Sequence, residues 1–167
     1  MTLRHIGPTD VDLMLGFVRG LSFGTRYFRF GSGDREFTEQ EVQRVCNPDP
    51  AAAAHFIVIR SGKKGDEVVG SARFVHVPGA AACELGIAVG DRWQTKGIGK
   101  VLVDALIEAA RQRGLRQMLA RIQGTNRRMV KFVTVLGFQV ADSAEGPGIK
   151  VATLQLTTFP STTSTRA

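Results

Sequence analysis

Cysteine is scarce in this sequence: Cys46 and Cys83 are the two among 167 residues. They lie far apart, which gives neither a disulfide framework nor the close pairs of a zinc site. The three histidines, His5, His55 and His76, are scattered as well, so no metal centre is expected. No apolar run approaches the roughly 20 residues that cross a bilayer, which argues against a membrane-spanning helix. The first seven residues have neither the basic start nor the apolar stretch of a secretory leader. There is no internal repeat and no linker that would divide the chain. What remains is a chain of single-domain size, 43% hydrophobic with a mixed charged surface, long enough to bury a core without staples. We expect a cytoplasmic, metal-free domain over residues 1–158. The tail over 159–167 is rich in Ser and Thr with no apolar period, and it is expected to be flexible.

The formal charge of +7 calls for an anionic partner. Nucleic acid and a phosphate-bearing ligand are both candidates, and so is a plain solvated basic surface. Arg111, Arg113, Arg116, Arg121, Arg127 and Arg128 gather late in the chain, yet no aromatic stacking motif interleaves them. That pattern argues against nucleic acid.

Residues 2–6 read as a short strand. Pro8 and Thr9 open a helix to about Leu21, with Val11, Leu13, Met14, Phe17 and Val18 on its apolar side. A second helical region covers 23–30 and ends at Gly31-Ser32-Gly33. Thr38 and Glu41 form a capping box that starts a helix over 39–45, and Asn47-Pro48-Asp49-Pro50 stops it. Residues 55–60 and 68–77 are β-rich runs joined at Gly62-Lys63-Lys64-Gly65-Asp66, and 83–89 is a third. From about 97 to 113, Ile98, Val101, Leu102, Ala105, Leu106 and Ala109 recur at helical spacing before Gly114. A strand over 115–122, a helix over 126–136 closed by Gly137, and strands over 138–141 and 149–156 complete the order. This predicts an α+β domain around one mixed sheet.

Between strand and helix lies Gln94-Thr95-Lys96-Gly97-Ile98-Gly99-Lys100. The first N–H groups of a helix have no intrahelical partner, and the helix dipole adds positive charge there. Glycines admit a bulky anion to the backbone, and Lys96 and Lys100 add full charge, so the segment reads as a pyrophosphate cradle. It lacks the Gly-Lys-Ser/Thr of a Walker loop and the three glycines of a dinucleotide fingerprint. Two glycines ahead of a helix also serve simply as a tight turn.

The stretch Cys83-Glu84-Leu85-Gly86-Ile87-Ala88-Val89, the Gln-x-x-Gly-x-Gly turn, the amphipathic helix, and Asn126 followed by Leu136-Gly137-Phe138 resemble the acyl-CoA-binding core of GNAT acetyltransferases. The resemblance covers about residues 55–157, and the helical N-terminal third more loosely. It implies a mixed, mostly antiparallel sheet flanked by helices, and acetyl-CoA as the co-substrate. It also implies that the backbone of Val89, with Ile87 and Ala88 beside it, pairs with the pantetheine arm, while Asn126 and Met129 hold the other side. Asn126 equally suits a helix N-cap.

A narrower resemblance is to the catalytic domain of bacterial Pat-type protein lysine acetyltransferases. It rests on Ser22-x-x-x-Arg26-Tyr27-Phe28-Arg29-Phe30, the Glu84 strand, Asn126-Arg127-Arg128-Met129 and Gly148-Ile149-x-Val151-x-x-Leu154-x-Leu156. It implies a protein lysine as acceptor, an acyl-CoA synthetase being one candidate. The regulatory domain that commonly accompanies this type is not in these 167 residues. A small amine is the alternative acceptor, and an acyl-CoA sensor without turnover is a further reading. A monomer or a homodimer is expected.

N-acetylation needs a neutral amine, and a lysine with a pKa of about 10.4 requires a base. In strand periodicity Glu84, Gly86 and Ala88 share one face, with one carboxylate and little bulk, which leaves room for an acceptor. Glu84 is the candidate base, as the Pat-type resemblance also implies, although an exposed strand glutamate would look the same. His76 on the preceding strand is the second candidate. Cys83 should point away from Glu84, which argues against an acyl-cysteine. Many GNAT enzymes carry a tyrosine acid three residues before the position of Leu136; here that residue is Val133. Arg26, Tyr27 and Arg29 are candidates for acceptor recognition or members of a half-exposed amphipathic helix.

Overall fold

Strands β1 (Thr2–His5), β2 (Ala53–Gly62), β3 (Gly65–His76) and β4 (Ala82–Val89) pair in chain order, each antiparallel to the last. The computed structural model that shows them describes residues 1–157; the expected tail lies outside the described residues. Gly62 pairs directly with Gly65, so Lys63-Lys64 alone form the hairpin loop. The ladder therefore runs past the apolar run on both sides of the turn, and β2 is longer than its hydrophobic pattern suggested. Beyond β4 come β5 (Gln117–Gln123), β7 (Ile149–Gln155) and β6 (Gln139–Asp142), giving one seven-stranded sheet in the order β1-β2-β3-β4-β5-β7-β6. Among the described residues, β4 and β5 are its one parallel pair. The expected α+β fold with a mostly antiparallel sheet is what forms.

Among the described residues, five helices cover the two faces: α1 (Val11–Gly20), α2 (Phe23–Phe30), α3 (Glu39–Cys46), α4 (Ile98–Gln112) and α5 (Arg127–Val135). The helix expected from Pro8 begins instead with a 3₁₀ turn, Pro8–Asp10. Asp10 holds that turn, accepting from Gly7 N at 2.8 Å and from both Arg4 guanidinium nitrogens at 2.7 and 2.6 Å. One core cluster joins α4 and the odd positions of β4: Leu102, Val103 and Leu106 meet Phe74, Cys83, Leu85 and Met118. Burying side chains of this size contributes about 1.5–3 kcal/mol each. The second cluster lies between α1, α3 and the other face, where Phe17, Val18, Val42 and Cys46 meet Ile57, Val68 and Ala88. Gly70 lets α4 settle onto β3, because a Cβ there would meet Ile98 Cγ2 at 2.8 Å. That contact fixes the start of α4 against the sheet, and with it the turn that precedes α4.

Candidate active site

β4 and β5 share three register pairs, Ala82↔Gln117, Cys83↔Met118 and Glu84↔Leu119, and then part. From Leu85 to Val89 the strand keeps β3 as its ladder partner and has none on the β5 side. Backbone polar groups in such a gap need another partner, so the parting of the strands is a slot for an extended, amide-bearing ligand. Ile87, Ala88 and Val89 form its β4 wall. Glu84 stands at the fork, its side chain 40% exposed. Its carboxylate lies 3.6 Å from Arg121 on β5, and Arg121 also meets Glu145 at 2.9 Å. Exposed pairs of this kind contribute about 0–1 kcal/mol, so Glu84 can exchange this partner for another at little cost.

The slot ends at the turn into α4. The amides of Ile98, Gly99 and Lys100 have no hydrogen-bond partner among the described residues, and no side chain caps this helix. Thr95 and Gly97 both have positive φ, 62° and 83°. For threonine that is a strained conformation, since its branched Cβ crowds the backbone. A Cβ on Gly97 would meet nothing within 4 Å. Its glycine is required by the backbone angle and leaves open space above the free amides, so the residues present fit a pyrophosphate. Lys96 places its ammonium 4.8 Å over the Trp93 ring, while Lys100 pairs along the helix with Asp104 at 2.6 Å. Gly99 does something the sequence did not suggest. A Cβ there would meet Phe132 Cζ at 3.1 Å, so the missing side chain of Gly99 makes room for the α5 ring.

Gln94 is turned inward. Its side-chain amide donates to the Val89 carbonyl at 3.2 Å and to Thr25 Oγ1 at 3.3 Å, while its oxygen accepts from Arg128 at 2.6 Å. The Val89 carbonyl therefore already holds one partner. Asp91, which the sequence reading passed over, accepts from Ser22 N at 2.9 Å, Ser22 Oγ at 2.7 Å and Thr25 Oγ1 at 2.8 Å. These hydrogen bonds hold its carboxyl below the usual range despite partial burial. The turn into α4 and the start of α2 are thus one hydrogen-bonded unit. Asn126 caps α5, its Oδ1 accepting from Met129 N at 3.1 Å, and Met129 is partly buried against the α4 core. On α5 the residue facing Gly99 is Phe132; Val133 is fully buried.

Of the three α2 candidates, Arg29 enters the site and the others diverge. Arg29 Nη2 lies 2.5 Å from where a Cβ on Gly86 would stand. The face expected to be empty beside Glu84 is therefore occupied: Arg29 covers Gly86, and Ala88 is sealed into the α1 core. Burial first, and then Arg73, push the Arg29 pKa down to about 10, against the pull of Glu84. Arg26 lines a hollow of about 330 Å³ with Val18, Arg19, Arg35, Glu36 and Phe37. Tyr27 is exposed, and its carbonyl accepts from Gln123 at 3.3 Å. His76 pairs with Cys83 and stacks on Phe74 at 5.8 Å, so it belongs to the opposite face from Glu84. Cys83 is fully buried there, and burial pushes its thiol up to about 12.

The family model described as "Acetyltransferase (GNAT) family" matches residues 22–138. The acetyltransferase Pat of Mycolicibacterium smegmatis is 33% identical over 136 residues, which are 81% of this chain and 40% of that protein. This chain therefore matches well under half of that relative's length. The GNAT domain of S. lividans PAT superposes with a TM-score of 0.83 at 21% identity, covering 92% of this chain and 89% of that one. The structure of yncA from Salmonella typhimurium, a putative acetyltransferase with its cofactor acetyl-CoA, superposes at a TM-score of 0.71 and 21% identity, covering 94% of each. With its α4 cradle and parted strands, the chain belongs to the GNAT family and is an acetyl-CoA-dependent acetyltransferase.

Proposed function

We propose that the chain transfers the acetyl group to a lysine amine of a protein acceptor, by direct attack, with Glu84 as general base. The observation that carries this reading is the position of Glu84, a lone β4 carboxylate at the point where β4 and β5 part. Lysine is protonated at neutral pH, so its proton must leave before the nitrogen can attack. The Glu84 carboxylate takes that proton directly or through one water, exchanging Arg121 for the amine. The thioester supplies an activated acyl carbon and a good leaving thiolate. Unpaired amides at the start of α4 anchor the pyrophosphate, and the β4 wall pairs with the extended arm. No tyrosine on α5 is available as acid, so the thiolate departs unprotonated or takes its proton from water. Cys83 faces the opposite core, which leaves no acyl-enzyme route through it.

The Pat-like Arg26-Tyr27-Phe28-Arg29 segment and the similarity to Pat support a protein lysine, with an acyl-CoA synthetase as the first acceptor to try. The test is thiol release from acetyl-CoA with an acyl-CoA synthetase, spermidine and an aminoglycoside as alternative acceptors. A higher kcat/KM on the synthetase is expected. Much higher efficiency on either small amine overturns the protein acceptor.

A further inference from the structure

Arg73 on β3 is the register partner of Gly86 on β4, and cross-strand partners share a face with Cβ positions about 5 Å apart. The guanidinium of Arg29 lies over that same Gly86. Two arginines thus meet on the floor beside Glu84; burial first, and then the charge of Arg73, lower the Arg29 pKa. His55, the partner of Arg73 on β2, is affected by both cations as well. Neither Arg29 nor Arg73 forms an ion pair or a side-chain hydrogen bond among the described residues. The charge of Glu84 reaches Arg29, yet its carboxylate pairs with Arg121, at 3.6 Å, and with neither Arg29 nor Arg73.

Partly buried guanidinium groups without an anion are costly, and a carboxylate arriving with a ligand would relieve the cost. Resting on the acetyl-transfer reading above, we propose that Arg29 and Arg73 form an anion subsite for the acceptor. The preferred acceptor is then an amine with a carboxylate close to it, the nitrogen at Glu84 and the carboxylate on the arginine pair. Glu84 and Gly86 are two residues apart on one strand face, which sets the spacing at about 7 Å. A polyamine, which brings further cations to the same floor, is the wrong substrate. The carboxylate can come from an acidic residue flanking a protein lysine or from the acceptor's own terminus.

The experiment uses the full chain with acetyl-CoA and measures thiol release. One series compares lysine peptides with a flanking Glu, Gln or Lys; another compares free lysine with lysine amide. We expect the Glu peptide, the free acid, or both to exceed its neutral counterpart by about tenfold or more in kcat/KM, mainly through KM. The series that responds identifies the source of the carboxylate. Arg29→Gln and Arg73→Gln should each bring the ratio towards one, and Arg73→Gln reads the subsite if Arg29→Gln fails to fold. Equal rates on charged and neutral acceptors in the wild type, or a ratio that survives in the folded variants, overturns the proposal. A Glu84→Gln variant separates this from failure of the parent reading, because it should slow every acceptor while keeping the charged-to-neutral ratio.

Discussion

Arg29 and Gly86 are joined by an absence: the guanidinium of Arg29 lies 2.5 Å from where a Cβ on Gly86 would stand. Any side chain at Gly86 must displace it. The displaced group is the far end of a flexible chain, so Gly86→Ala should fold, with a melting midpoint within a few degrees of wild type. Acceptor KM should rise about tenfold while coenzyme A affinity stays the same. Calorimetry with coenzyme A and initial rates against acceptor separate the two effects. Unchanged KM in the folded variant would show that Arg29 does not act from this position.

Glu84→Gln keeps the shape of the side chain and removes its basicity. Loss of a positioned base costs about 10²–10⁴-fold in rate, and acetyl-CoA affinity should barely move. Raising pH should partly restore turnover as more acceptor amine becomes neutral on its own. Near-wild-type turnover at neutral pH would reduce Glu84 to an exposed strand residue, and His76 could not replace it from the opposite face.

Gly97 has φ 83° with open space around it. Gly97→Val therefore acts through the backbone, at a cost of about 1–2 kcal/mol for the left-handed conformation, and it crowds the approach to the free amides of α4. Coenzyme A binding should fall tenfold or more in a variant that still folds. Undiminished binding by calorimetry would place the pyrophosphate elsewhere.

His55 is buried between Ser71 Oγ at 2.7 Å and the Val45 carbonyl at 3.3 Å. Desolvation first, and then Arg73, lower its pKa to about 4. The unfolded chain binds this proton near pH 6.5 and the folded chain only near 4. Its contribution is thus fully present above about pH 6.5 and is lost as pH falls towards 4, on the order of 3 kcal/mol in all. Thermal melts across that window should show the fall, and His55→Gln should flatten it. A slope unchanged in the variant would assign the acid sensitivity to other groups.

Cys83 and Cys46 are fully buried, and burial pushes their thiols up to about 12 and 11. The thiolate is the reactive form, so neither should be alkylated by iodoacetamide in the native protein at pH 8. Acetyl-CoA without acceptor should leave no acetyl group on Cys83. Intact-mass spectrometry reads both, and a stable adduct of 42 Da on Cys83, about the mass of one acetyl group, would require an acyl-enzyme after all.

Local patterns determined the elements. Apolar spacing marked α4, the capping box of Thr38 and Glu41 set the start of α3, and alternation separated the two faces of β4 correctly. The turn with free amides ahead of α4 was legible because a helix start and glycines are local chemistry, and the face on which Glu84 stands was legible by strand parity. Tertiary packing decided the rest. Parity could say that Gly86 has no side chain, but not that Arg29, 57 positions earlier, would lie over it. It could not show that Gly99 makes room for Phe132, that Gln94 and Asp91 hydrogen-bond to the start of α2, or that β4 and β5 part just after Glu84. Those are contacts between segments distant in sequence. They are fixed by how α2 and α5 lie against the sheet, and no periodicity within a single segment encodes that placement.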